Sequence, residues 1–285
     1  MSNAAHSLAP EPELTIVPLE PTIGAEIHGV DISKPISDLT RDRIKAAILE
    51  YKVVFFRDQN LNNDTHAAFA ERFGKLYTHP SPRREDVASI HRISRAEFAN
   101  YFKDRKKDPT SVEGSYHSDT SWRLVPTWGA VLRAIDIPPV GGDTIWVDAG
   151  LAYEKLSDEL KQRLEGLFVT HDFRESLSKN GYDYPIVAHP IVRTHRETGK
   201  KILWVNYSQY PHIIGLDIAE GQELLRTILA EYQRPEYQVR FKWRPGSVAF
   251  WDNRAAVHTA IHDYGDYPRL LHRILIADEV DYAEL

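Results

Sequence analysis

The sequence contains no cysteine. A disulfide framework, a zinc-thiolate site, an iron–sulfur cluster and a cysteine nucleophile are therefore excluded, and any metal must be held by histidine and carboxylate. Long apolar runs are missing too. No stretch approaches the ~18 residues that span a bilayer, and the start, "MSNAAHSLAPEPEL", lacks the cationic head and apolar core of a signal peptide. A cytoplasmic protein with no membrane partner is expected. Excess positive charge is also absent. The net charge of −6 over 285 residues disfavours a nucleic-acid partner, and the one cationic cluster, "KDRKK" at 103–107, reads as a solvated loop. No glycine-rich loop follows a strand, which argues against dinucleotide and P-loop chemistry. Internal repeats and low-complexity tracts are lacking as well.

What is present is an ordinary globular composition, 42% hydrophobic and 27% charged, at a length that suits one large domain. "LTIVPL" and "IGAEIHGVDI" read as strands. Residues 39–51 read as an amphipathic helix, with Ile44, Ala47, Ile48 and Tyr51 on one face. "VVFFRDQ" is a buried strand. "NDTHAAFAERFG" is a helix capped by Asn63 or Asp64 and ended by Gly74. Strands at 127–135 and 143–148, a helix through "SDELKQRLEGL", and a hairpin turning at Thr198-Gly199 come next. A helix over 217–233 leads into a β-rich end, "YQVRFKW", "VAFWDN" and "RLLHRILIAD". This order predicts a mainly β protein with peripheral helices, a sandwich or jelly roll. Residues 1–13 read as disordered and 14–285 as a single domain. The Pro-rich, charged stretch 80–114, broken only near Ile90, reads as a lid-like insert.

The stretch "GSYHSDTSW" at 114–122 places His117 and Asp119 one residue apart. With 13 His and 41 acids, about two His-x-acid pairs are expected by chance, so the pair needs support. Another such pair, His195 and Glu197, falls in the predicted hairpin turn, where polar residues belong. In an extended segment i and i+2 point to one face, so His117 and Asp119 can reach one ion. "FWDNRAAVHTA" offers His258 as a third ligand after an apolar strand. Two histidines and one carboxylate form the facial triad of non-haem Fe(II) oxygenases. His79, His91, His171, His189, His262 and His272 stand as alternatives to His258.

In "YPRLLHRILIAD", Arg269 and Arg273 share one face of a largely apolar strand, roughly 13 Å apart at ~3.3 Å per residue. Two guanidiniums there are costly to bury unless they meet anions. Either a neighbouring strand supplies acids, or each Arg binds the carboxylate, sulfonate or phosphate of a small molecule.

Taken together, "IGAEIHGVD", "VVFFRDQ", "RFGKLYTHP", "YHSDTSW", "GGDTIW", "HPIVRTHRETGK", "WDNRAAVH" and "DYPRLLHRI" resemble the Fe(II)/2-oxoglutarate-dependent taurine dioxygenase family. That family includes alkylsulfate and phenoxyacetate dioxygenases. The resemblance runs from about Leu14 to Glu279. It implies a double-stranded β-helix, or jelly-roll, core. It implies His117, Asp119 and His258 as iron ligands, and Arg269 with Thr144 as the holders of the distal carboxylate of 2-oxoglutarate. His79 and Arg273 match positions that hold a sulfonate or sulfate. Trp122 and Phe173 match aromatic pocket positions, and Glu113 lies near the site. Where the family commonly has "HTDVTF" this chain has "HSDTSW", and Pro82 stands where taurine enzymes carry Tyr. The expected cofactors are Fe(II), 2-oxoglutarate and O2.

The expected activity is hydroxylation of a small anionic substrate, an organosulfonate or sulfate ester such as taurine, with 2-oxoglutarate converted to succinate and CO2. The same chemistry on an amino acid or natural-product carboxylate or amine is the alternative. A zinc hydrolase and a non-catalytic jelly-roll binding protein are the remaining classes. A homo-oligomer, dimer or tetramer, is expected from the resemblance.

Overall fold

The computed structural model describes residues 13–78, 89–94, 116–178, 181–206 and 211–279. The first part runs β1 (Thr15–Pro18), β2 (Ala25–His28), α1 (Asp38–Tyr51), β3 (Val53–Phe56), α2 (Asn63–Glu71), β4 (Leu76–Tyr77) and β5 (Ile90–Ser94). The middle runs β6 (Gly129–Asp136), β7 (Thr144–Asp148), α3 (Ala149–Glu154), α4 (Asp158–Leu164), β8 (Phe168–His171), α5 (Arg174–Ser178), β9 (Val187–Pro190), β10 (Val192–Thr194) and β11 (Lys201–Leu203). The last part runs α6 (Ile218–Leu229), β12 (Gln238–Phe241), β13 (Val248–Asp252), β14 (Ala256–Ala260) and β15 (Leu270–Ile276).

The larger sheet has the order β1-β2-β3-β13-β6-β15-β4, with β5 also paired to β15. The smaller sheet is β12-β7-β14, antiparallel throughout. Side chains alternate across a strand, and here both faces are covered, which explains the continuous apolar runs. In β3, Val53 and Phe55 face the smaller sheet while Val54 and Phe56 face outward; in β13, Ala249 and Trp251 face in while Val248 and Phe250 face out. Trp146 of β7 and Phe241 of β12 meet them from the opposite sheet. Phe55 stacks on Phe241 at 4.0 Å, and Trp146 sits edge-on to Phe55 and Trp251. Each of these fully buried rings contributes about 1.5–3 kcal/mol by leaving water. The two facing sheets form the expected jelly roll.

Helices α1 and α2 cover the outer face of the larger sheet through Ile44, Ile48 and Phe69. The outer face of the smaller sheet, Val147 and Val257, is covered by α3 and α6 through Ala152, Leu224 and Ile228. Local signals place the helix ends, with shifts from expectation. The cap of α2 is Asn62, not Asn63 or Asp64: its side chain accepts from Thr65 N–H, and the Thr65 side chain accepts from Asn62 N–H in return. That reciprocal pair is unavailable one residue later. Helix α2 ends at Glu71 with Arg72 as its C-cap, and Gly74, with φ +144°, lies beyond it beside Ile276. Asp217 caps α6, which ends at Leu229 and tightens into a 3-10 turn over Ala230–Gln233. Within 80–114, Ile90–Ser94 is a strand laddered to β15; most of that stretch, and residues 1–12, lie outside the described residues.

Candidate metal centre

Alternation along β14 turns Ala256 and His258 inward and Val257 outward. His258 therefore faces the inter-sheet core, with its ring 4.8 Å from Trp251 and 6.2 Å from Trp146. His117 is brought to it by the backbone. His117 N–H donates to His258 C=O at 3.0 Å, and His258 N–H donates back at 2.8 Å. The two imidazoles lie 4.3 Å apart. Asp119, two residues on, turns to the same side, with Oδ1 3.9 Å from His117 Nε2. One donor atom from each of His117, Asp119 and His258 lies within 4.8 Å of the others, and no other such group of three occurs among the described residues. Two distant segments of the chain, 117–119 and β14, thus converge.

This donor set fits a divalent transition metal. Burial, followed by the nearby His117, holds the His258 pKa down at about 3, so its imidazole is neutral and able to ligate. Nδ1 of His258 is buried and has no hydrogen-bond partner among the described residues. Asp119 is buried at 4% exposure, and Arg273 Nη1 donates to its Oδ1. No cysteine competes, and two imidazoles with one carboxylate suit iron.

The two arginines of the C-terminal strand behave differently. Both share the inner face with Leu271 and Leu275. Arg273 meets Asp119, so the expectation of a neighbouring acid holds there for one of its donors; its Nε is buried without a hydrogen-bond partner. Arg269 precedes β15, where the register with β6 slips between Leu270 and Leu271. Its guanidinium reaches across to the smaller sheet, donating from Nε to Gly142 C=O at 2.9 Å and from Nη2 to Thr144 Oγ1 at 3.4 Å. Trp243 Nε1–H also donates to that hydroxyl at 3.0 Å. Arg269 is 4% exposed, and among the described residues no carboxylate lies within ion-pair distance of it. Burial brings its pKa down to about 10.

Trp122, buried, stacks on Phe173 at 5.6 Å and 7°, with Tyr184 edge-on at 4.8 Å. The first two were expected together; Tyr184 was not, because nothing in its local sequence marks it. His79 and Glu113 lie outside the described residues. Three of the alternative histidines, His171, His189 and His272, are engaged elsewhere. His171 and His189 bond the Ser121 hydroxyl and carbonyl. His272 faces the other side of the sheet, in a polar cleft of about 680 Å3 that also contains Arg133 and Asn63 and shares no residue with the triad. His195 bonds Asp252 at 3.0 Å in the core, a structural role for the second His-x-acid pair. His91 is the cross-strand partner of Arg273 and so shares its face, a placement visible only from the strand register.

A jelly roll that holds two histidines and one carboxylate between its sheets, with a buried arginine nearby, has the architecture and donor set of a non-haem iron oxygenase. The chain belongs to the taurine catabolism dioxygenase TauD, TfdA family, whose model matches residues 15–275. An alpha-ketoglutarate-dependent sulfate ester dioxygenase of Pseudomonas putida is 30% identical over 98% of this chain and 95% of its own length. An alkylsulfatase of Acinetobacter baylyi is 32% identical, covering 95% of this chain and 87% of the relative. The crystal structure of a taurine dioxygenase from Burkholderia xenovorans superposes with a TM-score of 0.83 at 36% identity, over 94% of this chain and 92% of that one.

Proposed function

We propose that this protein is an Fe(II)- and 2-oxoglutarate-dependent dioxygenase that hydroxylates a small organosulfonate or sulfate ester. Arg269 is the observation that carries the reading. A guanidinium buried with no carboxylate among the described residues in ion-pair distance is costly, and this one is suited to an anion that arrives as cosubstrate. In this reading His117, Asp119 and His258 hold Fe(II), while Arg269 and Thr144 hold the distal carboxylate of 2-oxoglutarate. Bound there with O2, iron and 2-oxoglutarate supply the oxidising chemistry, in which 2-oxoglutarate becomes succinate and CO2 and a substrate C–H becomes C–OH.

The chain's own residues bind, orient and exclude water. Trp146 and Trp251 wall off the His258 side from solvent. Arg273 keeps donors available beyond the one given to Asp119, and with His79 it would hold the sulfonate or sulfate head group. Trp122 and Phe173 would line the rest of the pocket, and Glu113 would be a further substrate-binding residue. A planar guanidinium fork binds such oxyanions with fixed orientation, which brings one C–H toward the metal. Hydroxylation of the carbon bearing the sulfur or the ester oxygen gives an unstable product that releases sulfite or sulfate and an aldehyde. The names of the sulfate ester and taurine dioxygenases support this substrate class over a biosynthetic carboxylate or amine. A homo-oligomer in the cytoplasm completes the proposal, and light scattering tests the assembly.

The test is succinate release by Fe(II)-loaded protein with 2-oxoglutarate and O2, over taurine, other alkylsulfonates, alkylsulfates, phenoxyacetates and amino acids. Stimulation by a sulfonate or sulfate, with loss in His117→Ala, Asp119→Ala and His258→Ala, is expected. Full turnover in all three variants overturns the reading. Activity with zinc, without O2 or 2-oxoglutarate, makes it a hydrolase, and cosubstrate binding without any turnover makes it a binding protein.

A further inference from the structure

We infer that Asn206 is the positioning residue for the metal ligands, its carboxamide standing in for a missing strand between His117 and Asp119. The role presupposes the metal centre proposed above. The reciprocal bonds of His117 to His258 form the last rung on the β14 side. In an antiparallel arrangement the next residue turns its N–H and C=O the other way. For Ser118 no strand of the described residues lies there. Instead Ser118 N–H donates to Asn206 Oδ1 at 3.0 Å, and Asn206 Nδ2 donates to Ser118 C=O at 3.0 Å. A single amide side chain thus makes the pair of bonds that a strand residue would make.

The same Nδ2 donates to Ser121 Oγ at 2.5 Å. Asn206 therefore grips both ends of the turn that carries Asp119. Ser118, Ser121 and Asn206 are all buried, so water cannot replace these bonds freely. Thr120 between them has φ +54°, a left-handed conformation uncommon for a non-glycine residue, and its hydroxyl accepts from Thr127 N–H at 2.8 Å. Asn253 Oδ1 accepts from Asp119 N–H at 3.3 Å and from Trp251 Nε1–H at 2.8 Å. Side chains, rather than a ladder, thus set the path from one ligand to the next. Asn206 is itself fixed: Trp204 N–H donates to Ile191 C=O at 2.6 Å, Tyr232 Oη donates to Leu203 C=O at 2.8 Å, and Val205 is fully buried. The amide is thereby rooted in the core behind the smaller sheet. Without it, the His117 imidazole and the Asp119 carboxylate lose their common aim.

The test measures metal binding directly. Mn(II) and Co(II) affinities of the full chain are read by competition with a chromophoric chelator, and the Co(II) visible spectrum reports the ligand set. Asn206→Ala is expected to bind about 10- to 100-fold more weakly, the range typical for groups that orient metal ligands, with a changed Co(II) spectrum. Ile48→Ala, in α1 on the outer face of the larger sheet, serves as a variant destabilised away from the site, and should keep wild-type affinity. If Asn206→Ala does not fold, Asn206→Ser is used, since one hydroxyl cannot make both Ser118 bonds and leaves room for water; a loss of at least 5-fold is expected. Affinity within about 2-fold of wild type and an unchanged spectrum, or an equal loss in Ile48→Ala, overturns the role of Asn206. Failure of wild-type protein to bind either metal overturns the metal centre instead, so the two failures are distinct.

Discussion

Replacing Arg269 with methionine should separate stability from cosubstrate binding. Burial lowers the Arg269 pKa from 12.5 to about 10. A tenfold change in an acid equilibrium is about 1.4 kcal/mol, so keeping this group charged in its pocket costs about 3 kcal/mol. Against that stand its bonds to Gly142 C=O and Thr144 Oγ1, together about 1–3 kcal/mol. Methionine fills similar space without the charge. The cosubstrate-free variant should be as stable as wild type or up to about 2 kcal/mol more stable. For a chain of this length that is a rise in melting temperature of up to about 4 °C. Removing one partner of a buried charge pair costs about 2–5 kcal/mol in binding, or roughly 30- to 5,000-fold in 2-oxoglutarate affinity. Differential scanning calorimetry of the variant and the 2-oxoglutarate KM from succinate release give both numbers. A variant that melts well below wild type yet binds 2-oxoglutarate within 3-fold would show that Arg269 only braces the fold.

Gly142 has φ +72°, and a Cβ there would come within 2.9 Å of Pro138 and 3.2 Å of Arg269 Cδ and Nε. Gly142→Ala should therefore displace the guanidinium and raise the 2-oxoglutarate KM about tenfold or more, with a stability loss of about 1–3 kcal/mol; an unchanged KM contradicts this. Burial above all holds His66 and His189 neutral, with pKa values of about 3 and about 4. Below about pH 6.5 the unfolded chain takes up protons that the folded chain refuses, so their stabilisation is complete above 6.5 and declines as pH falls toward 4. At pH 5 each should cost about 2 kcal/mol, and a urea midpoint equal at pH 7 and pH 5 would refute that. His195→Ala should cost about 1–3 kcal/mol by leaving one bond of buried Asp252 unmade, while Mn(II) affinity stays at the wild-type value. A loss of metal binding there would give the second His-x-acid pair a part in the site.

Much of the site was legible because its determinants are local. The i, i+2 spacing of His117 and Asp119 aims two ligands one way wherever the backbone is extended. The apolar run before His258 forecast a buried strand, and the alternation in β15 put Arg269 and Arg273 on one face. The Arg273 contact with Asp119 was not legible, because it joins residues 154 apart in the chain. Asn253 lies inside "WDNRAAVH", so a signal existed that spacing alone could not interpret. Asn206 carried none: a lone asparagine after a short strand reads as the start of a loop. The helix ends slipped by one to four residues because several neighbouring polar residues can cap, and only the packed chain selects one.

By itself, the sequence determined the element types, the mainly β class, the exclusion of thiol ligands and the donor set for a metal, since each follows from residue chemistry and short-range periodicity. The tertiary structure decided what long-range pairing decides. It brought His258 beside His117 and Asp119, through the backbone rung between His117 and His258. It decided that one arginine meets an acid, Asp119, while the other is buried with no acid among the described residues within ion-pair distance. It also placed Asn206 where a strand would otherwise run. The physical reason is that hydrogen-bond partners and counter-ions are chosen by proximity in the folded chain, and burial then makes each of those choices costly to undo.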